Sequence, residues 1–210
     1  MIEGTEGVGK GTQVDLLCLA LQNKKKEVFV TKEPGTPHNQ LTMDLRKIML
    51  DVDYDLPRPA RELMSQTIRS IHQEKVVNPS MGKYDYVIQD RGILSAVAYG
   101  MACKNSRKLL FKLSRFAIGK KSNRKMYRKH YSHIILLVGD PVKNLVRAQS
   151  AKKEFKNGDA MEAQGGDFMI KVQKNFLKIA KKFKNVTKIY IDGKSREEIL
   201  AEILVAIGEN

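Results

Sequence analysis

The sequence has no tryptophan, only two cysteines and no long apolar run. Cys18 and Cys103 stand alone, without metal or redox spacing, so we interpret both as core thiols of a cytoplasmic protein. No stretch approaches the roughly 20 apolar residues of a membrane-spanning helix, which argues against a membrane protein. Low-complexity linkers and internal repeats are also missing, and 42% of the residues are hydrophobic, which excludes a disordered chain. We expect one globular domain over residues 1–210.

Acidic residues are the other shortage. The chain has 23 Asp and Glu against 38 Lys and Arg, which gives a formal net charge of +15. Such an excess attracts anionic partners, either nucleic acid or small phosphorylated substrates. The basic residues are spread over the chain, and no basic run interleaves with aromatic residues as a base-stacking platform does. We therefore expect small anionic substrates and treat nucleic-acid binding as the less favoured interpretation.

Glycines are concentrated near the start of the chain, where Gly4 to Lys10 spells G-x-x-x-x-G-K before a helical pattern. Such a loop turns its backbone N–H groups toward phosphate oxygens, and the following helix directs its positive dipole end at them. Lys10 would reach the terminal phosphates, so the loop predicts a nucleoside triphosphate site. The candidate binding residues are Gly4, Glu6, Gly7, Val8, Gly9, Lys10, Gly11 and Thr12.

One position of this loop is unusual. The residue after the lysine is normally Ser or Thr, whose hydroxyl holds Mg²⁺, but here it is Gly11, followed by Thr12. The loop alone leaves open whether water or another carboxylate holds the metal. Because the loop stands at the start of the sequence, we also expect no signal peptide.

The apolar pattern alternates between short β-rich runs and longer helical stretches, which predicts a parallel sheet covered on both faces. A short first strand lies at Ile2, and further strands are predicted at 28–31, 86–89, 133–138 and 188–191. Helices are predicted at about 12–24, 39–51, 59–78, 92–103, 106–118, 141–153, 165–183 and 195–208. In such sheets the ligand lies at the carboxyl ends of the strands.

Two polar segments follow predicted strands. The second strand leads into Thr31-Lys32-Glu33-Pro34-Gly35-Thr36, and the third into Asp90-Arg91-Gly92-Ile93-Leu94-Ser95-Ala96-Val97-Ala98-Tyr99. A carboxylate such as Asp90 can orient water around Mg²⁺, and a guanidinium such as Arg91 presents a planar fork to phosphate. The alternative is that the two residues form a structural ion pair.

Together these segments resemble the thymidylate kinase family. The family's E-G-x-[DE]-G-x-G-K-[ST]-T-Q is matched by Glu3 to Gln13, its T-R-E-P-G-G-T by Thr31 to Pro37, and its D-R-Y-x-x-S-x-x-A-Y by Asp90 to Tyr99. Its Arg-x-x-His segment and the end of its lid are matched by Arg69 to His72 and by Asp159 to Glu162. Order and spacing agree over nearly the whole chain.

The resemblance implies a P-loop fold of three layers, with a five-stranded parallel sheet and a lid over about 147–162. It also implies transfer of the γ-phosphate of ATP, with Mg²⁺, to the 5′-phosphate of a deoxynucleoside monophosphate such as dTMP, by a homodimer. Catalysis in such enzymes is mostly positioning and charge neutralisation.

Residue roles follow from the same resemblance. Lys10 and the loop backbone would hold the donor phosphates, Glu6 would help hold the acceptor, and Arg91 would clamp the acceptor phosphate. Asp90 and Thr12 would hold the metal, Arg69 would contact the base, and Tyr99 would lie under the deoxyribose. Further substrate-binding candidates are Glu33, Arg46, Ser65 and Ser95. Because the P-loop has Val8 where other members have arginine, the lid should carry the catalytic cation, with Arg147, Lys152, Lys153 and Lys156 available.

The departures from the family cluster on the base pocket. Ser65 stands where the family stacks an aromatic residue on thymine, and Ala96, Val97 and Gly100 remove the usual polar partners nearby. The preferred base therefore stays open between thymine, a modified pyrimidine and a purine, and the pocket could also accept several deoxynucleotides. Two other functions also stay open: an adenylate-kinase-like enzyme, because Gly9 to Gln13 matches that loop well, and a non-catalytic relative that binds nucleotides or nucleic acid.

Overall fold

The computed structural model describes residues 1–119, 131–151 and 159–209. Its centre is a five-stranded sheet in the order β2-β3-β1-β4-β5, and every neighbouring pair of strands is parallel. The strands are β1 (Ile2–Glu3), β2 (Val28–Lys32), β3 (Tyr86–Asp90), β4 (Ile134–Val138) and β5 (Val186–Tyr190). Ile2 of β1 pairs with Asp90 on one side and Ile135 on the other, so the short first strand is the middle of the sheet.

Helices connect the strands and cover both faces of the sheet. They are α1 (Lys10–Asn23), α2 (Gln40–Leu50), α3 (Arg58–His72), α4 (Ile93–Ala102), α5 (Arg107–Ala117), α6 (Pro141–Ala151), α7 (Gly165–Ala180) and α8 (Arg196–Ile207). A capping box begins α8: the Ser195 hydroxyl accepts the Glu198 N–H, and the Glu198 carboxylate accepts the Ser195 N–H. None of the described helices combines the length and apolar character needed to cross a membrane.

Strand β4 divides the core into two parts. Its five residues are all buried, and successive side chains point to opposite faces of the sheet. Ile134, Leu136 and Val138 pack with α4, α5 and α7, whereas Ile135 and Leu137 pack with α1 and α8. A smaller cluster of Met49, Leu50 and Ile68 joins α2 to α3. The sheet is therefore the middle layer of three, and its carboxyl edge faces the P-loop.

The structure confirms the predicted parallel sheet of five strands and differs from the predicted elements mainly at their ends. Helix α1 begins at Lys10 rather than near residue 12, and β5 begins at Val186 rather than at residue 188. The helix predicted over 59–78 changes after His72 into a wider π-type turn over Gln73–Val77. Part of the predicted lid, with Lys152, Lys153 and Lys156, lies outside the described residues.

Candidate active site

A cavity of about 890 Å³ opens at the carboxyl edge of the sheet. Among the described residues, ten Lys or Arg and five Asp or Glu line it, so its electrostatic character favours an anionic ligand. The cationic residues are Lys10, Lys32, Arg46, Arg58, Arg61, Arg69, Arg91, Arg147, Lys194 and Arg196. The cavity is large enough for two small ligands to meet.

The P-loop forms one wall of the cavity between β1 and α1. Gly7 has φ of 66°, and a Cβ at this position would overlap the backbone carbonyl oxygen of Asn144 on α6. Glycine is therefore required at this position: other residues rarely adopt this φ, and their Cβ would overlap the Asn144 oxygen. At Gly11, by contrast, an added Cβ would have no heavy atom of the described residues beyond its own helix within 4 Å. Packing therefore does not explain why Gly11, rather than Ser or Thr, follows Lys10.

Lys10 is the buried cation of this wall. Its ammonium donates to the backbone oxygen of Thr5 at 2.6 Å. Burial, followed by the positive charge of Arg91, lowers the pKa of Lys10 to about 8, although Glu6 and Asp90 oppose the change. Lys10 and Arg91 are thus close enough to repel each other, and a phosphate between them would relieve the repulsion.

The turn after β3 holds Arg91 in a demanding conformation. Its φ is 65°, a region that residues other than glycine seldom occupy. Its side chain donates to the Gly4 carbonyl at 2.9 Å, to the Ser95 hydroxyl at 3.2 Å and to a Glu6 carboxylate oxygen at 2.7 Å. The guanidinium also lies 5.5 Å from the centre of the Tyr99 ring. Strand end, P-loop and helix α4 therefore meet at one guanidinium.

Hydrogen bonds to Glu3 hold the residues that follow this turn, a role that sequence reasoning missed. Its buried carboxylate accepts the backbone N–H of Leu94 at 2.9 Å and of Ser95 at 3.1 Å, and the Ser95 hydroxyl also donates to it. Burial raises the pKa of Glu3, although the hydrogen bonds with Ser95 oppose this change. Glu3 thus fixes the start of α4, and with it the Ser95 hydroxyl that contacts Arg91. Its position in the P-loop motif was the only available signal.

A second buried network lies behind the β2 turn. The carboxylate of Glu33 accepts from Nε of Arg69 at 2.9 Å and lies 3.1 Å from Nδ1 of His72. The other ring nitrogen of His72 lies 2.7 Å from the Thr31 hydroxyl, which is 3.0 Å from that of Thr36. Burial alone would raise the pKa of Glu33, but Arg69 and His72 outweigh it and lower the pKa to about 2.

Arg69, the predicted base contact, uses all five of its N–H groups on protein acceptors. Besides Glu33, its guanidinium donates to Gln66 at 3.3 Å, to the Ser114 hydroxyl at 3.3 Å and to the Gly92 carbonyl at 3.2 Å. It lines the cavity but is only 4% exposed. A base that bonded Arg69 would have to displace one of these partners or share its hydrogen.

Two further predicted cations reach the backbone of the site. Nη1 of Arg46 donates to the Pro34 carbonyl at 3.0 Å, beside the cis peptide bond between Glu33 and Pro34. Nε of Arg147 donates to the Gly7 carbonyl at 2.8 Å, so this predicted lid residue lies against the P-loop. Arg147 itself is exposed and can turn toward a bound phosphate.

Carboxylate oxygens that could bind a metal lie in and beside the cavity. Oδ1 of Asp90 is buried and has no hydrogen-bond partner within the described ranges of the chain. Glu6, Asp159 and Glu162 bring carboxylate oxygens within 4.8 Å of one another. Carboxylate oxygens suit a hard divalent cation such as Mg²⁺, so the residues present fit such an ion.

Nearly all the predicted site residues meet at this cavity. Of those that the structure describes, only Gly4 does not line it, and Lys153 lies outside the described residues. Sequence reasoning missed two groups of residues that line the cavity. The first group follows β5 and consists of Ile191, Lys194 and Arg196. The second group lies on α3 and after α4 and consists of Arg58, Arg61, Glu62 and Asn105. The first group could have been found, because the rule of strand carboxyl ends also applies to β5.

Comparison with known proteins agrees with this geometry. The thymidylate kinase family model matches residues 2–203. Thymidylate kinase from Campylobacter concisus is 29% identical over 204 residues, which cover 96% of this chain and 94% of that protein. The Thermosipho melanesiensis thymidylate kinase is 32% identical, over 91% of this chain and 87% of its own.

A solved structure shows the same fold. The thymidylate kinase from Ehrlichia chaffeensis has a TM-score of 0.71, 21% sequence identity, and coverage of 99% of this chain and 96% of that one. The sequence resemblance is confirmed over its whole length, and it favours this family over the adenylate-kinase-like alternative. The chain belongs to the thymidylate kinase family.

Proposed function

We propose that this protein transfers the γ-phosphate of ATP to a deoxynucleoside monophosphate, dTMP or a related nucleotide. One observation carries the proposal: two buried cations from different elements, Lys10 of the P-loop and Arg91 after β3, face one cavity. Phosphoryl transfer needs such a pair, because the donor and acceptor phosphates repel each other unless positive charge lies between them.

The donor phosphates would bind along the P-loop. The backbone N–H groups from Gly7 to Thr12 and the start of α1 supply donors and a positive dipole, and Lys10 supplies a full charge. Arg147 would move from the Gly7 carbonyl to the transferred phosphate as charge spreads over its oxygens.

The acceptor phosphate would bind between Arg91 and Arg46. Arg91 is already oriented by Glu6 and Ser95, so little entropy is lost when it forms a bidentate contact. Tyr99, beside this guanidinium, would lie under the sugar. Asp90 and Thr12 would hold Mg²⁺, which when bound neutralises charge on the phosphate oxygens.

A coupled assay of ADP release with ATP, Mg²⁺ and dTMP tests the proposal. Lys10→Ala should reduce kcat by at least about a hundredfold, whereas Lys181→Ala, at an exposed site directly after α7, should leave it within about twofold. Activity of Lys10→Ala within about tenfold of wild type would exclude the P-loop assignment. Wild-type protein that releases no ADP with any deoxynucleotide would favour the non-catalytic alternative.

We also propose a homodimer that uses α3 and α5. These helices pack together and present apolar side chains outward: Leu63 is 57% exposed, Leu109 49% and Phe116 85%. Sedimentation velocity at micromolar concentration should give a dimer, and Phe116→Lys should shift it to monomer. Val205→Lys, at a 61% exposed site on α8, is the matched control. A wild-type monomer under these conditions would remove the proposal.

The remaining proposals concern the cellular compartment and the class of ligand. Both cysteines are free thiols, which agrees with the reducing cytoplasm proposed for this chain. Ten Lys or Arg line the cavity among the described residues, and this supports nucleotides as the ligands.

A further inference from the structure

The base pocket is the part of the cavity where the family resemblance places thymine, and it departs most from the family pattern. We define it by the lining residues Arg61, Glu62, Ser65, Ala96 and Gly100. The last two lie one turn apart on α4 and carry no polar side-chain atom. At these positions α4 therefore offers no side-chain hydrogen bond to a base, and recognition of the base edge falls mainly to α3.

Helix α3 lines this pocket with three polar residues, Arg61, Glu62 and Ser65. Ser65 follows Glu62 by three positions and Arg61 by four, so the three side chains are neighbours on the helix surface. The Ser65 hydroxyl can donate or accept a hydrogen bond, so it suits the edge of any base. Arg61 can only donate and the Glu62 carboxylate can only accept, so these two residues are the ones that discriminate between bases.

Hydrogen bonds orient the Glu62 carboxylate without using all of its acceptor positions. One oxygen accepts from the Gln66 amide at 2.7 Å, and the other accepts from the Asn105 amide at 3.3 Å. A carboxylate has about four acceptor positions, so both oxygens keep acceptor capacity. Gly100 leaves room for this group, because a Cβ there would lie 2.9 Å from Oε2 of Glu62. The pocket therefore contains an oriented, half-buried acceptor.

Arg61 brings a donor to the same pocket. Its Nε is buried and has no hydrogen-bond partner among the described residues. In the same part of the chain, no carboxylate lies within salt-bridge distance of its guanidinium. A buried donor without an acceptor costs free energy, so an acceptor on a ligand would be favourable here. The N–H groups of Arg69, by contrast, are all engaged by protein acceptors, so the unused donor capacity lies on Arg61.

We propose that Arg61 and Glu62 recognise the imide edge of thymine: Glu62 accepts the N3–H, and Arg61 donates to the carbonyl oxygen beside it. The N3–H lies next to a carbonyl oxygen on either side, so a protein acceptor beside a protein donor matches this edge. Cytosine has an unprotonated N3 in the same place, and its lone pair would face the Glu62 carboxylate. Adenine presents the same mismatch at N1. Guanine has an N–H beside a carbonyl, so the pair separates thymine from cytosine and adenine rather than from guanine.

The test measures kcat and KM for dTMP and dCMP by ADP release. In kcat/KM the wild type should prefer dTMP over dCMP at least about tenfold. Glu62→Gln keeps the side-chain shape, but its amide can also donate to N3 of cytosine, so this preference should fall at least about tenfold. Arg61→Met should raise KM for dTMP at least about fivefold and leave kcat within about threefold, because the contact lies away from the reacting phosphate. The exposed controls Glu74→Gln and Arg107→Met should change each quantity less than about twofold.

This inference rests on the proposed kinase function, and the outcomes separate the two. An effect smaller than any of the three thresholds overturns the inference, while ADP release with dTMP leaves the kinase function standing. If a variant does not fold, the N3-methyl derivative of dTMP decides on the wild type, and a loss of kcat/KM below about tenfold overturns the inference. If the wild type releases ADP with no deoxynucleotide, the proposed function is removed, and calorimetric affinities for dTMP and dCMP decide the inference by the same ratio.

Discussion

The buried carboxylate of Glu33 holds Arg69 and His72 behind the β2 turn, and its replacement by glutamine tests this network. Glutamine has nearly the same volume, so the change removes a charge without opening a cavity. Arg69 would remain 4% exposed with no counter-ion at its Nε. Breaking a buried ion pair from one side costs about 3–5 kcal/mol.

The pKa of Glu33 gives a second measure of the same contribution. A carboxyl whose pKa falls from 4.5 to about 2 on folding stabilises the folded state by about 3 kcal/mol at neutral pH. Because the folded pKa is the lower one, this stabilisation is complete above about pH 4.5 and is lost as the pH falls toward 2. The two measures agree, and we predict a loss of about 3–4 kcal/mol for Glu33→Gln at pH 7.

Urea denaturation followed by circular dichroism measures the free energy of unfolding. Glu33→Gln should lower the midpoint without changing the slope, and its difference from wild type should shrink between pH 4.5 and 2. Adding Arg69→Met should cost less than the two single changes together, because it removes the uncompensated charge. Glu74→Gln, at an exposed site, should change stability by less than about 0.5 kcal/mol. A loss below about 1 kcal/mol for Glu33→Gln would refute the reasoning.

Three further outcomes are expected. Above about pH 8, kcat/KM for ATP should fall as Lys10 loses its proton, and a profile that stays level to pH 10 would show that Lys10 keeps an ordinary pKa. Because no heavy atom of the described residues beyond its own helix lies within 4 Å of an added Cβ at Gly11, Gly11→Ser should raise the free energy of unfolding, measured by thermal denaturation, by up to about 0.5 kcal/mol; a loss above about 1 kcal/mol would contradict the open space. Ser65→Phe should raise the preference for dTMP over dGMP at least about tenfold by adding a stacking surface to the base pocket, and an unchanged ratio in steady-state kinetics would place the base elsewhere.

The P-loop and the strand pattern illustrate what can be predicted from local sequence. The G-x-x-x-x-G-K spacing and the alternation of strand and helix are local properties, and both appear in the structure where they were expected. Helix ends were less predictable, as the change to a wider turn after His72 shows, because end residues gain or lose hydrogen bonds according to tertiary neighbours. The roles predicted for individual site residues remain predictions, although the structure places nearly all the described ones around one cavity.

By itself, the sequence determined the order of the elements, the phosphate-binding loop and the family, because each depends on short-range spacing and on residues that follow strands. Only the tertiary structure decided which acceptors bind the Arg69 guanidinium, that Glu3 supports the turn of Arg91, and that the Glu62 carboxylate lies beside Gly100. Apart from the bond between Arg69 and Gln66 within α3, these contacts join residues 23 to 92 positions apart in the chain. Hydrogen bonding and close packing act over a few ångströms in space, so the partners of a buried charge follow from how helices and strands pack, which no local pattern records.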